Sequence, residues 1–115
     1  MNIRYITGKI SEEKAANFLQ AQEHVILKRN FRIRQGEIDI ISHCEHTIYF
    51  IEVKYRKKNT MIQPLEILNQ SKRDRMRMVA EVYLADFLPG SESSVSFGLI
   101  YITETGQIDF YHDLF

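Results

Sequence analysis

Residues 36–56 read GEIDIISHCEHTIYFIEVKYR, and the fold follows from how this stretch alternates. From Glu37 to His43, Ile38 and Ile40 take one side while Glu37, Asp39 and Ile41 take the other, the period of two that marks a strand. Ile48 to Arg56 is β-branched and aromatic, with Ile51, Val53 and Tyr55 on one face and Phe50, Glu52, Lys54 and Arg56 on the other. The polar segment Cys44 to Thr47 turns the chain between them, so the two strands form an antiparallel hairpin. A turn centred between Glu45 and His46 sets a register in which partner numbers sum to 91. Asp39 then stands opposite Glu52 and Glu37 opposite Lys54, with Cβ atoms about 4.5–5.5 Å apart. Facing carboxylates repel unless a cation lies between them, and hard oxygen ligands at this spacing suit Mg²⁺ or Mn²⁺. Lys54 shares the face of Glu52 and is placed to hold or help deprotonate an attacking water, or to stabilise charge on a phosphate. The plainer alternative is a Glu37–Lys54 surface pair with Asp39 and Glu52 on a wet sheet face.

Outward from the hairpin, Gly36 punctuates the chain before the second strand, and Val25 to Arg34 reads as a first strand. Ser11 is a good helix N-cap, Glu12 and Glu13 complement the positive helix end, and Ala15, Ala16, Phe18 and Leu19 recur at helical spacing, which predicts a helix over about residues 9–22. Residues 57–63 lack periodicity and read as a mobile loop, one placed to order over nucleic acid. Pro64 favours a helix start, and Leu65, Leu68, Met76, Val79, Ala80, Tyr83 and Leu84 predict one long amphipathic helix to about Phe87. After the break at Leu88-Pro-Gly, Val95 to Thr103 and Gln107 to His112 read as two strands. The element order αβββαββ indicates an α/β protein with a mixed five-stranded β-sheet flanked by helices.

The chain has 115 residues, 44% hydrophobic and 26% charged, which fits one globular domain over residues 1–115 and excludes a disordered or low-complexity chain. Its longest apolar runs, such as Ile48 to Ile51 and Leu99 to Ile102, fall far short of the ~18 residues of a bilayer span. The first 20 residues hold Arg4, Lys9, Glu12, Glu13 and Lys14 and no apolar segment, so no secretory signal and a cytoplasmic location are expected. The single cysteine, Cys44, cannot form an internal disulfide. Net charge is zero, yet residues 28–77 hold twelve basic and six acidic residues, while residues 78–115 hold six acids and no Lys or Arg. A basic face for phosphates set against an acidic opposite side gives this pattern, with ordinary solvated surface charge as the alternative. Arg32, Arg34, Arg56, Lys57, Lys58, Lys72, Arg73 and Arg75 are the candidate nucleic-acid contacts, made mainly to phosphate because no base-reading motif accompanies them. His43-Cys-Glu-His46 lacks the spaced second half of a zinc site, and Cys44 has no evident general base.

Gly36-Glu-Ile-Asp39 followed by Glu52-Val-Lys54 resembles the Asp, then Glu-x-Lys, pattern of the PD-(D/E)XK nuclease superfamily. With Gly8, Glu12, Ala15, Phe18, Leu19, Arg29-Asn30, Arg32, Pro64-Leu-Glu66, Lys72, Ala80 and Tyr83-Leu84 added, the series resembles the YraN-like family of small predicted endonucleases, from Gly8 to Phe115. The resemblance implies a restriction-endonuclease-like core shared with archaeal Holliday-junction resolvases. It implies Asp39 and Glu52 as metal ligands for Mg²⁺ or Mn²⁺, Lys54 as the catalytic lysine and Glu12 as an additional catalytic acid. Four positions depart from the family pattern: Ser11 and Glu23-His24 stand where glycine and a Gly-aromatic pair are usual, and Gly98 where relatives often show Asp. The activity expected is metal-dependent hydrolysis of DNA phosphodiesters, with branched or processed DNA as one substrate form. A non-catalytic nucleic-acid-binding protein retaining the nuclease fold is the competing class, and a protein-interaction module a third. DNA is the expected partner with RNA as the second nucleic acid, a homodimer is left open, and a membrane is not expected.

Overall fold

The computed structural model describes residues 3–56 and 63–115, with no side-chain description for residues 3–6. Helix α1 spans Ile3–Ala21, strands β1, β2 and β3 span Val25–Ile33, Gly36–Cys44 and Thr47–Arg56, helices α2 and α3 span Pro64–Ile67 and Gln70–Phe87, and strands β4 and β5 span Ser94–Thr103 and Ile108–Tyr111. The five strands form one sheet in the order β1-β2-β3-β4-β5. All neighbours are antiparallel except β3 and β4, which run parallel from Thr47↔Ser94 to Arg56↔Thr103, as a connection through α2 and α3 requires. The mixed α/β architecture expected from the sequence is therefore the one formed. Among the described residues no helix is long and apolar enough to cross a membrane. The expected loop of residues 57–63, with Lys57 and Lys58, lies outside the described residues apart from Gln63.

Apolar side chains leave the sheet on both faces, so two cores form. On one face Phe31, Ile38, Ile41, Phe50 and Leu99 pack against Met76, Val79 and Tyr83 of α3. On the other, Ile40, Ile51, Ile100 and Ile102 pack against Ala15, Ala16 and Leu19 of α1. The helix expected over residues 64–87 is in fact two helices. Asn69 takes an extended conformation and its side chain accepts from the Lys72 N–H at 3.0 Å, capping α3 and ending the turn begun at Pro64. Helix α1 begins before the expected residue 9 and closes with the His24 N–H donating to the Leu19 carbonyl. Glu23 sits there at φ 67, the left-handed position that a glycine fills most easily.

The predicted hairpin register holds from Cys44↔Thr47 to Ile40↔Ile51, every pair summing to 91, and the ladder stops there. Asp39 and Glu52 are therefore not ladder partners, nor are Glu37 and Lys54. The expected faces of β2 are corrected as well: Ile38 packs with Ile41 against α3, whereas Ile40 packs against α1. Alternation is broken at Asp39. The neighbouring strand breaks at the same level, where Asn30 has φ 53, Arg29 reaches Glu13 of α1 at 2.8 Å, and Phe31 turns to Tyr83 and Phe87 of α3.

Gly98 has a packing reason. A Cβ there would lie 2.6 Å from the Tyr111 carbonyl oxygen and 3.4 Å from His112 Cα, because the chain leaving β5 lies close against β4. Gly98→Ala is expected to lower stability by about 1–3 kcal/mol, measured by urea denaturation, and unchanged stability would mean that β5 does not hold this position. Glu23→Gly should act in the opposite sense, raising stability by about 0.5–1 kcal/mol by relieving the left-handed backbone, read in the same experiment.

Candidate active site and nucleic-acid interface

Where β2 and β3 part, the Val53 N–H loses its strand partner, and the Asp39 Oδ2 accepts it at 2.8 Å. A half-buried carboxylate is thereby fixed at the fork of the two strands. Glu52 lies one residue beyond the last ladder pair, on the face that carries Phe50 two residues earlier, and turns toward α3. Glu12 comes from α1 and Glu37 from the start of β2. Four acids from three elements thus act on one another: Glu52, Glu12 and Glu37 all repel a charge on Asp39, and Glu37 and Glu12 repel one on Glu52.

Burial is the largest influence on Asp39, and with the repulsion from Glu52 it outweighs the Val53 N–H and pushes the carboxyl up to about 8. Glu52 is also raised, first by burial, while the ammonium groups of Lys72 and Lys54 oppose the shift. The same sheet level brings in Tyr101, whose backbone pairs with Lys54 across the β3–β4 ladder and whose buried hydroxyl has no hydrogen-bond partner among the described residues. Nothing in the sequence pattern pointed to this hydroxyl, because Tyr101 reads as one more apolar position of a strand.

A cleft of about 450 Å³ opens beside Glu52, between the β1–β2 turn and α3. Arg32, Arg34, Lys72 and Arg75 line it together with Glu37 and Glu52. Gly36 lets the turn lie close to the helix: a Cβ there would be 3.3 Å from Val79 Cγ2 and 3.6 Å from Arg75 Cβ. Of the basic candidates, these four share the cleft. Arg73 does not; its guanidinium donates to Gln70 and lies 6.0 Å from the centre of the Phe115 ring. Arg56 stands at the end of β3 away from the cleft lining, and Lys57 and Lys58 fall outside the described residues.

Among the described residues no three carboxylate, imidazole or thiolate side chains stand together as a finished cation cage. The donor chemistry nevertheless fits a hard divalent ion, since Asp39 and Glu52 offer oxygen ligands whose charges are buried and mutually repelling. His43, Cys44 and His46 stay at the hairpin tip, away from this centre. His24 is a buried residue instead, its ring within hydrogen-bond distance of Ser42 Oγ at 2.9 Å and packed against Tyr49.

Residues 11–109 match the family described as "Uncharacterised protein family UPF0102". The UPF0102 protein of Leptospira interrogans is 41% identical over 108 residues, covering 94% of this chain and 93% of that one. That of Caldicellulosiruptor bescii is 36% identical over 107 residues, covering 93% and 89%, and that of Francisella tularensis subsp. novicida is 39% identical over 99 residues, covering 85% of each. The matched span contains Glu12, Asp39, Glu52, Lys54 and all four cleft cations.

The raised carboxyl of Asp39 carries a sign for stability. A carboxyl raised by folding favours the folded state at a pH below its unfolded value near 3.8, and that contribution is lost as pH rises toward about 8. Asp39→Asn keeps an oxygen acceptor for the Val53 N–H and removes the charge. In metal-free buffer the variant should be more stable than wild type at pH 8 by about 2 kcal/mol, with the gap closing toward pH 4. Thermal melts across that range check it; a gap that does not change with pH would mean that Asp39 carries no uncompensated charge.

Proposed function

We propose, because the chain belongs to the UPF0102 family, the YraN-like family of the sequence resemblance, that it is a Mg²⁺- or Mn²⁺-dependent nuclease hydrolysing DNA phosphodiesters. The observation that carries this reading is the closeness of the Asp39 and Glu52 carboxylates at the strand fork, both raised by burial, beside Lys54 and a cleft walled by Arg32, Arg34, Lys72 and Arg75. The element order and the parallel β3–β4 pair support a restriction-endonuclease-like core for the fold.

In this reading Asp39 and Glu52 would hold the divalent ion, which when bound supplies the positive charge that offsets the charge building up on a phosphate under attack. Asp39 is preset for the task by its bond from the Val53 N–H, which engages only one of its two oxygens. Lys54 orients the attacking water and, with Lys72, brings positive charge to Glu52 that opposes the effect of burial there. Glu12 adds a carboxylate from the α1 side, placed to take up the water's proton. The four cations of the cleft bind phosphates along the strand, giving affinity with little sequence preference.

Mn²⁺ titration followed by cleavage assays on single-stranded, duplex, flap and four-way DNA, and on RNA, tests the reading. Asp39→Asn and Glu52→Gln should weaken Mn²⁺ binding at least about tenfold, and Lys54→Ala should keep the metal while losing about 10²–10⁴ in cleavage rate. DNA affinity should fall about 100-fold between 50 and 200 mM salt if four phosphates are neutralised. Salt-sensitive binding without cleavage of any substrate would favour the non-catalytic nucleic-acid-binding protein, and wild-type Mn²⁺ affinity in both acid variants would overturn the site.

A further inference from the structure

Asn30 of β1 stands between two of the four acids, Glu12 and Glu37, and has no role assigned to it from the sequence. β1 and β2 keep one register from Lys28↔Ile41 to Ile33↔Gly36, yet Asn30 and Asp39, which that register would join, do not pair. Asn30 instead adopts φ 53 inside a strand, a left-handed conformation that asparagine tolerates better than most residues. Such a backbone persists only where the surroundings hold it.

The carboxamide shows what holds it. One end of the amide faces only carboxylate oxygens, so that end is assigned as the nitrogen: Nδ2 then lies 3.2 Å from Glu37 Oε1 and 3.1 and 3.2 Å from Oε1 and Oε2 of Glu12. An amide has two N–H donors, one for each carboxylate. The second oxygen of Glu37 accepts from Arg32 at 3.0 Å, so Glu37 is held from both sides. Glu12 arrives from α1 and Glu37 from β2, and both repel the charges of Asp39 and Glu52. Without a donor between them, two mutually repelling side chains on separate elements would swing apart into solvent.

We propose that Asn30 is a positioning residue: its left-handed backbone aims one carboxamide between Glu12 and Glu37 and holds both carboxylates beside Asp39, ready for a divalent cation. The residue type follows from the task. Glycine would fit the backbone but has no donor, aspartate would add a fifth negative charge, and lysine would supply a competing positive charge. The cation part of this inference rests on the proposed metal-binding reading of Asp39 and Glu52; the amide bridge does not.

Two measurements on the full chain separate these. In metal-free protein, ¹H–¹⁵N spectra should show the Asn30 side-chain amide with both protons shifted and slow to exchange, and Glu12→Gln and Glu37→Gln should each move that pair more than any other side-chain amide. Mn²⁺ alone is then titrated into wild type, Asn30→Gly and Asn30→Asp. Asn30→Gly, which keeps the backbone conformation and a melting temperature near that of wild type, should bind Mn²⁺ about tenfold more weakly, and Asn30→Asp should differ from it because it introduces a charge. Wild-type Mn²⁺ affinity in Asn30→Gly, or an Asn30 amide indistinguishable from exposed asparagines, overturns the proposal. If wild type itself binds no Mn²⁺, the metal reading falls, and the bridge stands or falls on the amide resonances.

Discussion

The hydrogen bond from the Val53 N–H to Asp39 Oδ2 is the contact on which the rest of the structure turns. A buried backbone N–H must find an acceptor, and a strand normally supplies a carbonyl. Here the ladder between β2 and β3 ends at Ile40↔Ile51, and a carboxylate supplies the acceptor instead. The two strands diverge as a result, and β2 resets its alternation, sending Ile40 to the α1 core and Ile38 to the α3 core. One side-chain acceptor therefore couples the packing of both helices to the placement of an acid at the sheet fork.

The fork also concentrates opposed electrostatic demands. Burial penalises the charges of Asp39 and Glu52, Glu12 and Glu37 repel them, and Lys54 and Lys72 oppose the shift at Glu52. The cations that could neutralise an incoming phosphate line the cleft between the β1–β2 turn and α3, and the close fit of Gly36 against Val79 and Arg75 keeps the two walls together. The position of α3 depends in turn on Asn69, whose side chain caps the helix and brings Lys72 into its first turn. A helix running unbroken from Pro64 would have set Lys72 and Arg75 at a different rotation.

Much of this was legible in residues 36–56, since alternation and turn length fix a hairpin register without knowledge of the rest of the chain. The register was right wherever the ladder exists. It failed at Asp39 and Glu37 because ladder arithmetic assumes that alternation continues, and a side chain that replaces a backbone carbonyl leaves no trace in a hydrophobicity pattern. The split at Asn69 had a local signal, a capping residue, which the surrounding apolar spacing masked. Arg73 shows the limit of charge counting: it sits among phosphate candidates in sequence but faces Phe115, because neighbouring positions on a helix point about 100° apart.

By itself the sequence determined the five strands, the mixed sheet and the hairpin register as far as Ile40↔Ile51, because each depends on local periodicity. Only the tertiary structure decided where the strands part, that Asn30 turns left-handed between Glu12 and Glu37, that Tyr101 buries its hydroxyl, and which four cations share a cleft. These outcomes depend on groups distant in sequence competing for the same acceptors, donors and space. That competition is settled when α1, the sheet and α3 are packed together, and no window of the chain contains all of its participants.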